Sequence, residues 1–171
     1  MPEGDTIFRA ARALNKALGG KVVTHFESVF PTLNRVDDDT PIPGRTMIAV
    51  ESRGKHLLMQ LSGGLTLRTH MRMVGSWHIY RPGEAWQRPR SQLRVRIDTS
   101  DFVAVAFLVH EAEWLREGDE ARSKLGRLGP DVLAPDFDPA AAVSRMREHP
   151  HEPICDVILD QRVLAKLCGQ E

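Results

Sequence analysis

Seven short runs with strand character follow one another between residues 21 and 109 of this 171-residue chain. They cover 21–30, 46–51, 56–61, 65–69, 76–80, 92–98 and 102–109. In 92–98 the alternation is clear: Leu93, Val95 and Ile97 fall on one face, Arg94 and Arg96 on the other. That period of two is the period of a half-buried strand. Ser62-Gly63-Gly64 and Thr99-Ser100-Asp101 read as hairpin turns. Closely spaced strands joined by tight turns predict an antiparallel sandwich and not a parallel α/β sheet.

Helical patterns flank the strands. Ile7, Ala11, Leu14 and Leu18 recur at four- and three-residue steps, one face of a helix, and Gly19-Gly20 stops it. Composition shifts after Trp114, and residues 125–138 carry Gly126, Gly129, Pro130 and Pro135, the mark of a linker. Asp138 then reads as an N-cap before Pro139, opening a helix that runs to about Glu148. Pro150 and Pro153 bracket a break. Residues 154–164 follow as a second helix, with Ile154, Val157, Ile158 and Leu164 expected inward. The fold class expected is α+β: an N-terminal antiparallel β-sandwich flanked by helices, then a partial helical segment.

A hydrophobic fraction of 42% supports a packed core. Cys155 and Cys168 are too few for a disulfide framework and form no Cys-x-x-Cys pair, so no structural zinc site is expected. A reducing, cytoplasmic compartment is the expectation. No apolar run reaches the roughly 18–20 residues of a membrane span, and the acidic opening Met1-Pro2-Glu3-Gly4-Asp5 lacks a signal peptide's basic region.

The 23 basic and 23 acidic side chains cancel, yet they are segregated. Residues 68–96 hold seven arginines against one acid, Glu84, a net of +6; residues 98–120 hold seven acids against one base, Arg116, a net of −6. Two solvated faces that balance one another are one reading. A phosphate-facing basic groove is the other, favoured by arginine's planar, bidentate donors.

Pro2 is a chemical group in its own right. Removal of Met1 leaves a secondary α-amine, whose reference pKa of about 7.7–8 lies well below the roughly 10.4 of lysine. A useful fraction is therefore neutral near pH 7.5, able to attack an electrophilic sugar carbon and form an iminium. Glu3 stands beside it to move protons. By itself Pro2 is also simply a common second residue, and Lys55 reads as a solvated lysine at a strand end.

Several ordered motifs change this reading. Met1-Pro2-Glu3-Gly4-Asp5-Thr6, then Arg53-Gly54-Lys55-His56-Leu57, then His70-Met71-Arg72-Met73-Val74-Gly75-Ser76-Trp77 occur in that order. Leu128-Gly129-Pro130-Asp131-Val132-Leu133 and Leu159-Asp160-Gln161-Arg162-Val163-Leu164-Ala165 follow. The chain resembles the formamidopyrimidine-DNA glycosylase/endonuclease VIII family of base-excision repair enzymes over about residues 1–165. The Pro-Glu-Gly-Asp opening resembles the endonuclease VIII branch.

The resemblance implies a DNA glycosylase with abasic-site lyase activity on oxidised bases, pyrimidines by the branch. Pro2 would be the nucleophile, Glu3 the proton-transfer residue, and Lys55 the lysine that approaches the lesion and its phosphate. Met73 would fill the space vacated by the extruded nucleotide. Arg72 would contact the backbone beside it, and His70 would join the DNA-binding set or remain a strand histidine. The partner implied is damaged double-stranded DNA, with no membrane and no protein partner. Residues 1–124 would form the catalytic sandwich domain, 125–137 the linker, and 138–171 a partial helix–two-turn–helix domain.

The likeness departs at the C-terminal end. The family continues with a Gly-Ile-Gly-Asn-like turn, a second helix and a zinc finger, where this sequence reads Lys166-Leu167-Cys168-Gly169-Gln170-Glu171. Arg162 does not supply the missing ligands. No zinc or other cofactor is therefore expected. A truncated or frame-shifted product is the expectation drawn from the abrupt change at Lys166; a naturally short member is the other reading. The functional alternative is a catalytically weak or inactive DNA-binding remnant. The opposite-strand arginine–phenylalanine pair of the formamidopyrimidine branch is not evident; Phe107-Leu108-Val109-His110 stands in that neighbourhood.

Overall fold

The computed structural model describes residues 3–117, 119, 128–132, 134 and 136–165, with Glu3 and Gly4 as backbone only. It opens with helix α1 (Glu3–Leu18). Ile7, Ala11, Leu14 and Leu18 are buried on it, as their spacing predicts. Each such leucine contributes about 1.5–3 kcal/mol by leaving water. Gly20 follows with φ +74°, a left-handed conformation that ends the helix without a Cβ penalty.

Among the described residues, eight strands form two four-stranded antiparallel sheets. They are β1 (His25–Ser28), β2 (Met47–Arg53), β3 (His56–Leu61), β4 (Leu65–His70), β5 (Ser76–Tyr80), β6 (Leu93–Asp98), β7 (Val103–Phe107) and β8 (Glu111–Arg116). One sheet has the order β1-β6-β7-β5, the other β2-β3-β4-β8. Their inner faces and α1 share one core, which includes Leu57, Met59, Leu67, Val95, Ile97 and Ala104. The antiparallel sandwich expected from strand spacing is therefore what forms, and both expected glycine and Asp-Ser hairpin turns join paired strands.

The segment between β5 and β6 has a different job. Both strands pair antiparallel with β7 from opposite sides, so residues 81–92 return the chain along the sheet. Trp86 lies on its outer face against Phe107, ring centroids 5.8 Å apart, and beside Tyr80 at 6.3 Å. Both faces of β7 are thereby covered, and all five of its residues are buried.

Several elements differ from the sequence reading. The run at 21–30 shortens to β1, and Val22 makes only an isolated bridge to Thr46. Helix α2 (Pro31–Asp39) was not foreseen; it is mostly polar and buries Leu33 alone. Strand β8 was also missed. Its Ala112 and Trp114 pack on the core while its glutamates face outward.

Helix α3 (Pro139–Arg147) begins as expected: the Asp138 carboxylate accepts hydrogen bonds from the Ala140 and Ala141 amides. Helix α4 covers only Ile154–Leu159, not 154–164. After it the chain turns, with Val163 and Leu164 amides bonding back to the Asp160 carbonyl. Ile154 is 66% exposed, correcting its expected inward position. Val157, Ile158 and Leu164 do turn inward as expected, packing with Val163 and Ala142 in a small core of their own. The linker expected at 125–137 lies partly outside the described residues. No helix among them is long and apolar enough to cross a membrane.

Candidate active site

Two turns meet at one end of the β2-β3-β4-β8 sheet. The first joins β2 to β3 through Gly54 and Lys55. Gly54 has φ +57°, the sign required at the first central residue of a type II′ hairpin. It is buried, and a β-carbon there would lie 3.1 Å from Leu128 Cδ1 and 3.2 Å from Gln161 Oε1. Glycine thus lets the hairpin and the later segment approach closely. Lys55, half-buried, is carried out on this turn.

The second turn follows β4. Met71 is buried, while Arg72 turns into the left-handed region at φ 52°. The Gly75 amide donates to the Met71 carbonyl at 2.9 Å. A β-carbon on Gly75 would stand 2.4 Å from that same oxygen, so only glycine closes the turn. Met73 is left at its tip, 75% exposed, with Val74 exposed beside it. An anchored turn presenting an exposed thioether side chain is not core filling.

Register brings the turns together. His56 is the cross-strand partner of His70, which in turn pairs with Glu111. The His56 and His70 rings meet edge to face, centroids 4.8 Å apart. Lys55, His70, Arg72 and Met73 therefore gather at one end of the sheet. Pro2 lies outside the described residues; Glu3 starts α1, but its side chain lies outside them too. In the connection from β7 to β8, Phe107 and Val109 are buried, Leu108 has φ 54°, and His110 is exposed.

The arginine block does not form an uncommitted groove. Arg68 is 3% exposed and binds the Glu113 carboxylate through Nε at 2.6 Å. Arg72 Nη2 binds Glu111 at 2.6 Å, Arg90 binds Glu27 at 2.7 Å, and Arg96 makes two bonds to Asp98. Asp98 in turn raises the already high pKa of Arg96. Much of the +6 segment is thus answered by nearby acids, most of them in the −6 segment. Sequence reasoning missed Arg68, Glu111, Glu113 and the role of His56. The alternation Leu65-Thr66-Leu67-Arg68-Thr69-His70 was the available signal, since it sets Arg68 and His70 on the outer face.

Among the described residues no group of three or more histidine, cysteine, aspartate or glutamate side chains is placed to hold a metal. A cleft of about 540 Å³ opens between β2 and the later segment, lined by Arg53, Asp131, Phe137 and Arg145 among others.

Residues 1–110 match the family model of the formamidopyrimidine-DNA glycosylase N-terminal domain. The chain belongs to this family. Among its relatives, the Streptomyces coelicolor protein named probable endonuclease 8 2 is 43% identical over 166 residues, covering 96% of this chain and 58% of that protein. The DNA-(apurinic or apyrimidinic site) lyase Nei2 of Mycolicibacterium smegmatis is 35% identical, with 96% and 62% covered. The chain thus spans about six-tenths of the length of these relatives. In fold it is similar to Lactococcus lactis formamido-pyrimidine DNA glycosylase bound non-covalently to DNA with an abasic site. That match has a TM-score of 0.75 at 18% identity, covering 97% of this chain and 64% of the other. Within the formamidopyrimidine-DNA glycosylase family, the endonuclease 8 names of the relatives agree with the branch read from the Pro-Glu-Gly-Asp opening.

Proposed function

We propose that this chain acts in base-excision repair as a DNA glycosylase and abasic-site lyase on oxidised bases, pyrimidines foremost. The observation that carries the reading is the family match over residues 1–110, which spans Pro2, Glu3, Lys55 and Met73 in one segment. The meeting of the Lys55 and Met73 turns at one sheet end supports it, because a wedge and a phosphate-seeking cation must work on the same nucleotide. The relatives' names, endonuclease 8 and abasic-site lyase, support the reaction class.

In this reading the neutral amine of Pro2 attacks C1′ and the damaged base leaves with its glycosidic electron pair. The sugar ring opens as the iminium forms, and Glu3 moves protons to and from the ring oxygen. Loss of a C2′ proton then breaks the 3′ carbon–oxygen bond, and a second elimination breaks the 5′ bond. Lys55 holds the lesion's phosphate, and Met73 occupies the vacated stack. The substrate is damaged duplex DNA, and no cofactor enters. The division into a catalytic domain at 1–124, a linker at 125–137 and, at 138–171, a helical segment resembling the opening of a helix–two-turn–helix belongs to the same proposal.

Borohydride trapping on duplex DNA with one abasic site tests this. Untagged protein with Met1 removed is expected to form a covalent adduct. A retained N-terminal extension turns the amine into an amide and is expected to abolish it. Equal trapping by both forms removes Pro2 from the mechanism. Salt-sensitive DNA binding with no trapping favours the alternative, DNA binding without catalysis.

A further inference from the structure

The most deeply buried charge among the described residues is Arg68, and the family reading gives it no part. It stands in the middle of the outer face of its sheet, in the cross-strand row Leu58–Arg68–Glu113. Its guanidinium makes three contacts. Nε meets Glu113 Oε1 at 2.6 Å, Nη1 meets His56 Nδ1 at 2.9 Å, and Nη2 lies 3.8 Å from Glu111 Oε2. The other oxygen of Glu111 holds Arg72 Nη2 at 2.6 Å.

A guanidinium only donates, so His56 Nδ1 must accept. His56 is then neutral, with its proton on Nε2. His56 directly follows Lys55, and Arg72 directly precedes Met73. One buried guanidinium therefore reaches both turns: the lysine turn through His56, and the methionine turn through the carboxylate of Glu111. Arg68 is buried while Glu111 and Glu113 are partly exposed, so removing its partners would leave a buried charge uncompensated, and the contacts hold its position.

We infer that Arg68 is a positioning residue: it fixes the Lys55 turn and the Arg72–Met73 turn in a single mutual geometry. The inference rests on the roles proposed above for Lys55 and Met73. Around His56 stand Arg68 and His70 from β4, Arg53 opposite it on β2, and Lys55 next to it in the chain, with Glu111 beyond His70 on β8. Protonation of His56 would remove the acceptor and set an imidazolium against the guanidinium. Loss of that acceptor is thus expected to loosen the lysine turn.

The test compares the full chain with Arg68→Met, Arg68→Lys and His56→Gln. Single-turnover borohydride trapping is measured with protein in excess, and affinity for the same abasic duplex by fluorescence anisotropy. Arg68→Met is expected to slow trapping about tenfold or more, with affinity changed by less than about threefold. Arg68→Lys keeps one donor and is expected to recover part of the loss. The amide oxygen of His56→Gln accepts from Arg68 without titrating. That variant is expected to lose less rate than Arg68→Met and to show a shallower fall between pH 7 and 5.5 than the wild type.

Trapping by Arg68→Met within about twofold of wild type overturns the inference. So does an Arg68→Lys protein no faster than Arg68→Met. Should Arg68→Met not fold, the pH profile decides: identical wild-type and His56→Gln profiles overturn the inference. Absence of trapping by the wild type is a different result, which removes the lyase reading itself.

Discussion

Gly54 leaves no free room for a β-carbon beside Leu128: one there would stand 3.1 Å from Leu128 Cδ1. Leu128 also packs on Leu58 and Leu115, on the outer face of the same sheet. The lysine hairpin and the segment after the sandwich are therefore fitted to one another through a glycine. Gly54→Ala adds a left-handed alanine, costing about 1–2 kcal/mol before any contact is counted. A fall in stability of that size is expected in urea unfolding, with slower abasic-site trapping as Lys55 shifts. Unchanged stability and trapping would show that the turn tolerates a side chain.

Gly129 carries a tighter constraint. A β-carbon there would fall 2.2 Å from the Val163 carbonyl oxygen, and the Gly129 amide already bonds to Gln161 O at 2.8 Å. No small side-chain movement relieves a clash with backbone. Gly129→Ala is expected to destabilise by about 1–3 kcal/mol, as overpacking does. The loss should be local: faster proteolysis within 128–165 while the sandwich keeps its far-UV signal. Equal cleavage rates for variant and wild type would count against this packing.

Met73 separates binding from stability. Its side chain stands in solvent, so Met73→Ala is expected to change unfolding free energy by less than about 0.5 kcal/mol. If it fills the stack, affinity for an abasic duplex should drop about tenfold, or roughly 1.4 kcal/mol, with little change for undamaged DNA. Equal losses on both duplexes would assign Met73 to general contact.

His78 predicts a pH dependence. Burial, then the nearby Arg88 charge, hold its pKa below the ordinary 6.5, opposed in part by a hydrogen bond with Gln87. Its Nε2 lies 2.9 Å from Ser76 Oγ, and its ring faces Phe107 at 5.4 Å. As pH falls below 6.5 the unfolded chain takes up the proton first, so stability present above that value is lost towards the lower folded pKa. The melting temperature of the wild type should fall more steeply between pH 7 and 5 than that of His78→Phe. Parallel curves would mean that His78 titrates alike in both states.

A second titration lies lower. Arg162, chiefly through its hydrogen bonds, holds the Asp160 carboxyl below its ordinary 3.8. Stability from this pair is present above 3.8 and disappears as pH falls through the lower folded pKa. Asp160→Asn is expected to remove that acid-range component from the turn after α4, read as amide exchange at Val163 and Leu164, whose amides bond to the Asp160 carbonyl. An unchanged pH dependence of exchange would leave the pair without a stabilising role.

Local chemistry was legible from residues alone wherever one strong pattern ruled. The face of α1, the alternation of β6, the glycine hairpin after β3 and the Asp138 cap were all read correctly, because each depends on a few adjacent side chains. The lysine and methionine motifs are legible as a resemblance, and the exposed Met73 stands where that resemblance puts the wedge. Strand β8 and helix α2 were not, since each buries few apolar residues; Pro31 at the first helical position was the start signal of α2, with no side-chain cap beside it. Ile154 was misplaced because it is the opening residue of the six-residue α4 and stays exposed, while Val157 and Ile158 one turn later reach the small core.

The sequence by itself determined most of the strands, the Asp138 cap, the glycine hairpin after β3, and a chain whose neutral sum conceals blocks of +6 and −6. Only the tertiary structure decided what those blocks do. Arg68 and Glu113 are 45 positions apart, as the hydrogen bond between them records. They meet because β4 and β8 pair in one register, and a slip of β8 by a single residue would turn Glu113 to the face opposite Arg68. Charge counts along a chain carry no such information. Burial, partner and the fate of a proton on His56 are fixed only when the sheet is assembled.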